Sequence, residues 1–145
     1  MGAEFVHLHV HTQFSFLTGT VKVKGLAGRA KELGMSAVAV TDHANMYGAI
    51  RHYKACKDAG IRAILGCEVN VAREDGRGAV DHLVLLASNL EGYKNLIRLV
   101  SRGHLQPKVE GVPSIALADL EAARRGVVVL TGCMGGVIAQ GILEQ

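Results

Sequence analysis

The sequence predicts an α/β protein with a mainly parallel sheet. Three observations carry this. Short, nearly continuous apolar runs recur along the chain, as sheet strands buried on both faces require. Segments with apolar residues at helical spacing lie between most of them, and several of these stop at a glycine. The 145 residues, 49% hydrophobic and 20% charged, suit one domain able to bury a core.

Taken in order, the first strand is Phe5-Val6-His7-Leu8-His9-Val10-His11-Thr12, apolar and β-branched apart from its histidines. A helix follows over 23–33, with Leu26, Ala27, Ala30 and Leu33 on one face and Gly34 just past its end. Ser36 to Thr41 (SAVAVT) is a buried strand, Asn45 to Ala59 a helix stopped by Gly60, and Ile61 begins a strand that runs toward Glu68. Arg73 to Gly78 is a polar turn, His82 to Ala87 (HLVLLA) a strand, and Leu90 to Arg102 a helix. After a polar stretch over 103–113, Ser114 suits the N-cap of a helix over 115–125 that Gly126 stops. Val127 to Thr131 is a strand and 136–143 a last helix. The order is β-α-β-α-β-β-α-α-β-α. An α/β barrel usually takes about 250 residues, so this length fits only part of one.

Composition excludes several classes. No apolar stretch reaches the length of a membrane span and no basic-then-apolar leader opens the chain, so a cytoplasmic protein is expected. Three cysteines without scaffold spacing do not make a disulfide framework. A net charge of +3 permits contact with phosphate without requiring it, and 4% aromatic residues with no Trp speak against a base-stacking platform.

The polar residues carry the functional signal. On a strand, His7, His9 and His11 share one face about 7 Å apart, and neutral imidazole is the commonest nitrogen ligand for zinc. In parallel α/β folds functional side chains gather at the carboxyl ends of strands. Those ends hold His9 and His11, then Thr41-Asp42-His43, then Gly66-Cys67-Glu68, then Gly132-Cys133. Histidine, carboxylate and thiolate suit zinc, or manganese and iron where sulfur is absent. Glu68 could bridge two metals about 3.5–4 Å apart, the arrangement that clamps a phosphoryl group.

Plainer readings stand beside these. Asp42 serves equally as a turn cap or a ligand. Cys67 reads as a small buried apolar residue, and Cys133 as a ligand or a packed thiol with equal weight. His52, in mid-helix, reads as a surface or internally satisfied histidine. His104 reads as a partner of its helix C-terminus. His82 falls at the amino end of its strand, the wrong end for a parallel barrel.

The motifs HLHVHT, TDHANMYGA, GCEVN, HLVLLASNLEGYKNLIRLVS and VVVLTGCMGG, in that order, closely resemble the PHP (polymerase and histidinol phosphatase) domain. The version resembled is the one at the amino terminus of bacterial DNA polymerase III alpha subunits. The resemblance covers about Phe5 to Leu143. It implies a distorted seven-stranded β/α barrel of mainly parallel strands whose ends hold up to three metal ions. It implies His9, His11, His43, Glu68, His82 and Cys133 as metal ligands, with His9, His11, His43 and Glu68 the catalytic set and Glu68 the bridge. His7 stands where many relatives have Asp and would support the site. Thr18 stands where polymerase relatives usually have Asp, and the family's final Asp-x-His motif does not occur in the sequence. An incomplete barrel is therefore expected, the amino-terminal part of a PHP domain truncated before its last metal-binding motif.

The implied function is that of a divalent-metal phosphoesterase or 3′–5′ exonuclease module, with zinc most expected and manganese second. It would sit within a subunit whose DNA-directed polymerase activity lies elsewhere. The alternatives are a non-catalytic bracing and docking domain of the replicase, or a stand-alone histidinol-phosphatase-like enzyme. The implied partners are DNA and other replisome subunits, with no membrane. An open barrel would expose apolar sheet edge, and dimerisation is one way to cover it.

Overall fold

Helix α1 (Val23–Glu32) buries Val23, Ala27 and Ala30, the i, i+4, i+7 stripe of a surface helix. A computed structural model of the chain describes residues 5–73, 80–132, 134 and 136–143. After α1 come β1 (Ala37–Val40), α2 (Ala49–Ala59) and β2 (Arg62–Ala72). Gly60 closes α2 with a left-handed φ of 72°, donating its N–H to Lys57 O at 3.1 Å. The remainder runs β3 (Val80–Ala87), α3 (Leu90–Leu105), β4 (Ser114–Ile115), α4 (Leu117–Ala122), β5 (Val127–Leu130) and α5 (Val137–Leu143). Most of the polar turn expected after Arg73 lies outside the described residues.

The five strands form one mixed sheet in the order β1-β2-β3-β5, with β4 also on β2. This corrects the expectation of a mainly parallel sheet. β2 pairs parallel with β1 and β4, but β3 is antiparallel to both β2 and β5. The connection over 73–79 explains the reversal, since a parallel return needs a crossover of a dozen or more residues. The described residues thus form a five-stranded sheet rather than a closed barrel. Along one edge of β2 sit β1, then the bridge between His43 and Glu68, then β4.

The histidine segment is not a regular strand either. It bends at Leu8 and joins β1 by scattered bonds: Ala39 N–H to His7 O, Thr41 N–H to Val10 O, each 2.9 Å, and Val10 N–H to Thr41 Oγ1 at 2.8 Å. Nor does Ser114 cap a helix. It lies in β4 opposite Asn70, while Ala116 begins α4 with its N–H bonded to Asp119 Oδ2 at 3.0 Å.

Strand alternation divides the sheet into two faces. Cys67, Val69, Val71, Leu83 and Leu85 face α3, where they pack with Leu96 and Leu99. Full burial of each such leucine contributes about 1.5–3 kcal/mol. Val38 of β1 packs with Ala27 and Ala30 of α1 and Cys56 of α2. The opposite face carries Ala39, Val84 and Leu86 as an apolar floor. Glu68, Asn70 and His82 belong to that face by strand parity.

Candidate metal centre

Glu68 is buried, and each of its carboxylate oxygens faces a pair of imidazoles. Oε2 lies 2.5 Å from His9 Nε2 and 3.1 Å from His11 Nε2, and those two nitrogens are 3.3 Å apart. Oε1 lies 3.5 Å from His43 Nδ1 and 3.6 Å from His82 Nδ1. The His43 and His82 rings meet edge to face with centroids 5.2 Å apart.

Four backbone segments converge to make this. The loop before α1 brings His9 and His11, and the end of β1 brings His43. The bridge over which Glu68 N–H donates to Asp42 O (3.1 Å) and Ala44 N–H to Glu68 O (2.7 Å) sets His43 beside the carboxylate. β3 brings His82, which pairs with Asn70 in register and is diagonal to Glu68. The antiparallel direction of β3 places its amino end beside the carboxyl end of β2. His82 is therefore at the right end of its strand after all.

Asn70 fixes the chemistry of His43. Its Nδ2 donates to Pro113 O at 2.8 Å, so its Oδ1, 3.0 Å from His43 Nε2, is left to accept. His43 Nε2 carries the ring proton in the neutral form, and the Nδ1 lone pair points toward Glu68 Oε1. A cation seated between these two atoms would draw on both lone pairs. Ligand atoms about 2.1 Å from a tetrahedral zinc are themselves about 3.4 Å apart, close to the separations of both histidines from Oε1. His9, His11 and Glu68 offer ligand atoms that all lie within 4.8 Å of one another and could hold a metal ion. Four imidazole nitrogens gathered around one carboxylate are a donor set of the kind that suits divalent cations.

The other expected residues separate clearly. Asp42 is a structural anchor: it accepts from Thr12 N–H (2.6 Å), Thr12 Oγ1 (2.7 Å) and Ser15 Oγ (2.8 Å). Ser15 Oγ in turn receives the His43 N–H at 3.0 Å, so the carboxylate braces the loop that carries the centre. Burial pushes the Cys67 thiol up to about 12, and it packs in the core with Val69 and Leu85. His52 is fully buried and internally satisfied, with Nε2 donating to Val38 O at 3.0 Å. His7 stays outside the cluster, its ring edge-on to Phe5. Thr18 turns its hydroxyl to Ser15 O at 3.3 Å. Cys133 lies outside the described residues.

Asn70 was missed as a supporting residue, and His104 was read only as a partner of its helix C-terminus. Asn70 was legible as the strand neighbour two positions beyond Glu68, on the same face. His104 was not. It reaches from the last turn of α3 to donate to Ala44 O at 2.7 Å, holding the turn beside His43 whose Ala44 has a left-handed φ of 54°.

A profile of the PHP domain family matches residues 7–145. The DNA polymerase III subunit alpha of Borreliella burgdorferi is 41% identical over 154 aligned positions, covering 99% of this chain and 13% of that protein. The DNA polymerase III subunit alpha of Pseudomonas aeruginosa is 39% identical over 144, covering 99% and 12%. The chain thus spans about an eighth of the length of these relatives. Among solved structures, a two-domain Bacteroides vulgatus protein with a predicted PHP-like metal-dependent phosphoesterase superposes with a TM-score of 0.55 at 17% identity. That match covers 86% of this chain and 33% of the other. A Bifidobacterium adolescentis protein assigned as a metal-dependent phosphoesterase gives 0.52 at 24% identity, covering 86% and 44%. At these identities the structural likeness is one of fold.

Proposed function

This chain belongs to the PHP domain family, and from that premise we propose that it is the metal-binding phosphoesterase module of a bacterial replicative polymerase alpha subunit. Its activity in this reading is removal of nucleotides from a 3′ end. The observation that carries the proposal is the division of Glu68 between two imidazole pairs, His9 with His11 and His43 with His82.

In this reading those five residues hold one or two divalent cations, zinc or manganese. Bound metal supplies an activated water and Lewis acidity at the phosphoryl oxygens. The chain's own contribution is preorganisation. Asn70 keeps the His43 Nδ1 lone pair free, and Asp42 ties Thr12 and Ser15 together so that the loop carrying His9 and His11 does not drift. The apolar floor of Ala39, Val84 and Leu86 sets a dry base under the centre. Polymerisation, DNA and replisome subunits belong to the longer protein of which this chain would be the amino-terminal part. Among the described residues no helix is long and apolar enough to cross a membrane.

Thr18 favours a second reading, a bracing and docking domain in which metal serves stability. Its hydroxyl is spent on its own turn, so this loop adds no carboxylate to the centre. One assay separates the two. The chain loaded with manganese or zinc is expected to release 3′ nucleotides from a single-stranded oligonucleotide, and Glu68→Gln to abolish release while remaining folded. Equal release by Glu68→Gln would overturn the hydrolytic reading, and a folded, metal-loaded chain with no release would favour bracing.

A further inference from the structure

Two loops flank the mouth of the centre, one leading from His11 to α1 and one from His43 to α2. The aromatic side chains they carry have no part in holding metal. Phe14 from the first loop meets Tyr47 from the second edge to face, with centroids 6.4 Å apart. Arg51, exposed in the first turn of α2, stands with its guanidinium 5.7 Å from the centre of the Phe14 ring. Gly48 makes this possible, because a Cβ there would come within 3.0 Å of the Phe14 ring. Tyr47 itself is 63% exposed, so most of its surface is in water.

This rim is tied rigidly to the centre. Asn45 is buried and donates through Nδ2 both to Phe14 O and to His43 O, each at 2.9 Å, while its Oδ1 accepts from Tyr47 N–H at 3.1 Å. One side chain thus joins the two aromatic residues and the backbone of a cluster histidine. The backbone that carries the exposed Tyr47 ring is thus fixed against the centre.

Charge distribution points to the ligand. The loop and helix from Thr12 to Glu32 carry Lys22, Lys24, Arg29 and Lys31 against one acid, Glu32, which pairs with Arg29, and those from His43 to Ala59 carry Arg51, Lys54 and Lys57 against one, Asp58. Seven of the sixteen basic residues and two of the thirteen acidic ones therefore fall on these two loop-and-helix units, a net +5 in a chain whose net charge is only +3. The two helices pack on each other through Ala27, Ala30 and Cys56, so the basic segments are neighbours in space. An aromatic ring on a basic surface beside a phosphate-directed site is the chemistry of single-strand binding.

We infer that Tyr47, backed by Phe14 and Arg51, is a stacking platform for a base of single-stranded nucleic acid whose backbone lies across the basic face toward Glu68. This rests on the proposed phosphoesterase reading for the register of the strand on the centre. It also revises the expectation drawn from low aromatic content. Composition counts aromatic residues, whereas stacking needs only one, exposed and held in place.

The test is a fluorescence anisotropy titration of a short labelled oligothymidylate with the unmodified chain and its Tyr47→Ala, Tyr47→Leu and Tyr47→Phe variants. Melting temperatures serve as a control. Tyr47→Ala and Tyr47→Leu are expected to weaken binding about tenfold, the scale of one lost base–aromatic stack, and Tyr47→Phe to restore it to within about twofold. An unmodified chain that does not bind the oligonucleotide, or a Tyr47→Leu variant that binds as tightly, would overturn the inference. Hydrolysis of bis-p-nitrophenyl phosphate by the unmodified chain, read separately, tests the parent reading. Failure there with Tyr47-dependent binding intact would sink the hydrolytic assignment and leave the platform standing.

Discussion

His82 and Glu68 lie on adjacent strands that run in opposite directions, and the diagonal between them brings Nδ1 within 3.6 Å of Oε1. His43 approaches the same oxygen from the opposite edge of β2, while His9 and His11 address the other oxygen. The carboxylate is thereby divided between two potential cation positions. Replacing His82 by Ala is expected to remove about one equivalent of metal and leave the His9–His11 position filled, since that pair keeps its own oxygen. Metal analysis of the purified variant checks this, and full retention of both equivalents would assign His82 no ligand role.

Asp42 has a different job. It accepts three hydrogen bonds in a buried setting, from Thr12 twice and from Ser15. Asp42→Ala strands these donors, at a cost of about 3 kcal/mol, because hydrogen bonds to charged groups are the strong ones and buried donors left unpaired carry a desolvation penalty. Asp42→Asn keeps an acceptor oxygen and should lose less. Urea denaturation of the metal-free chain measures both, and a loss under about 1 kcal/mol for Asp42→Ala would contradict the anchoring role.

Two glycines give opposite expectations for the same substitution. A Cβ on Gly92, in the first turn of α3, would collide with the carbonyl oxygen of Gly126. Neither partner is a flexible side chain, so Gly92→Ala should cost about 3 kcal/mol or more by lifting α3 off the turn before β5. Gly28, on α1, has nothing within 4 Å of its Cβ position, so Gly28→Ala should stabilise by about 0.5–1 kcal/mol. Thermal melting of the pair decides the point.

The fold was legible where local rules act alone. Gly34 and Gly60 marked helix ends because the left-handed turn after a helix favours glycine, and both have positive φ. The direction of β3 was obscured because HLVLLA is apolar read either way; only the short connection before it distinguished the two. β4, two residues long, is below the reach of any periodicity. For the centre, the residue types named His9, His11, His43 and Glu68. The sharing of one carboxylate among four imidazoles depended on strand order, which no single motif carries.

Acid should weaken the fold partly through His52. It is buried, its Nε2–H bonded to Val38 O and its ring beside the Cys56 thiol, and desolvation holds its pKa below the ordinary value of 6.5. The unfolded chain then binds the proton more readily than the folded one. This contribution to stability is present above about pH 6.5 and is lost as pH falls from there through the folded pKa, by up to about 1.4 kcal/mol per pH unit. Denaturation midpoints at neutral and mildly acidic pH should fall more steeply for the unmodified chain than for His52→Gln. Parallel slopes would contradict it.

The central claim, that Glu68 and its four histidines form a metal centre, is tested most directly by elemental analysis of the chain purified without chelator and without a metal-binding tag. One or two equivalents of zinc or manganese per chain are expected, falling to near zero in a folded His9→Ala/Glu68→Ala double variant. A folded chain that carries no metal and takes up neither ion on incubation would contradict the account.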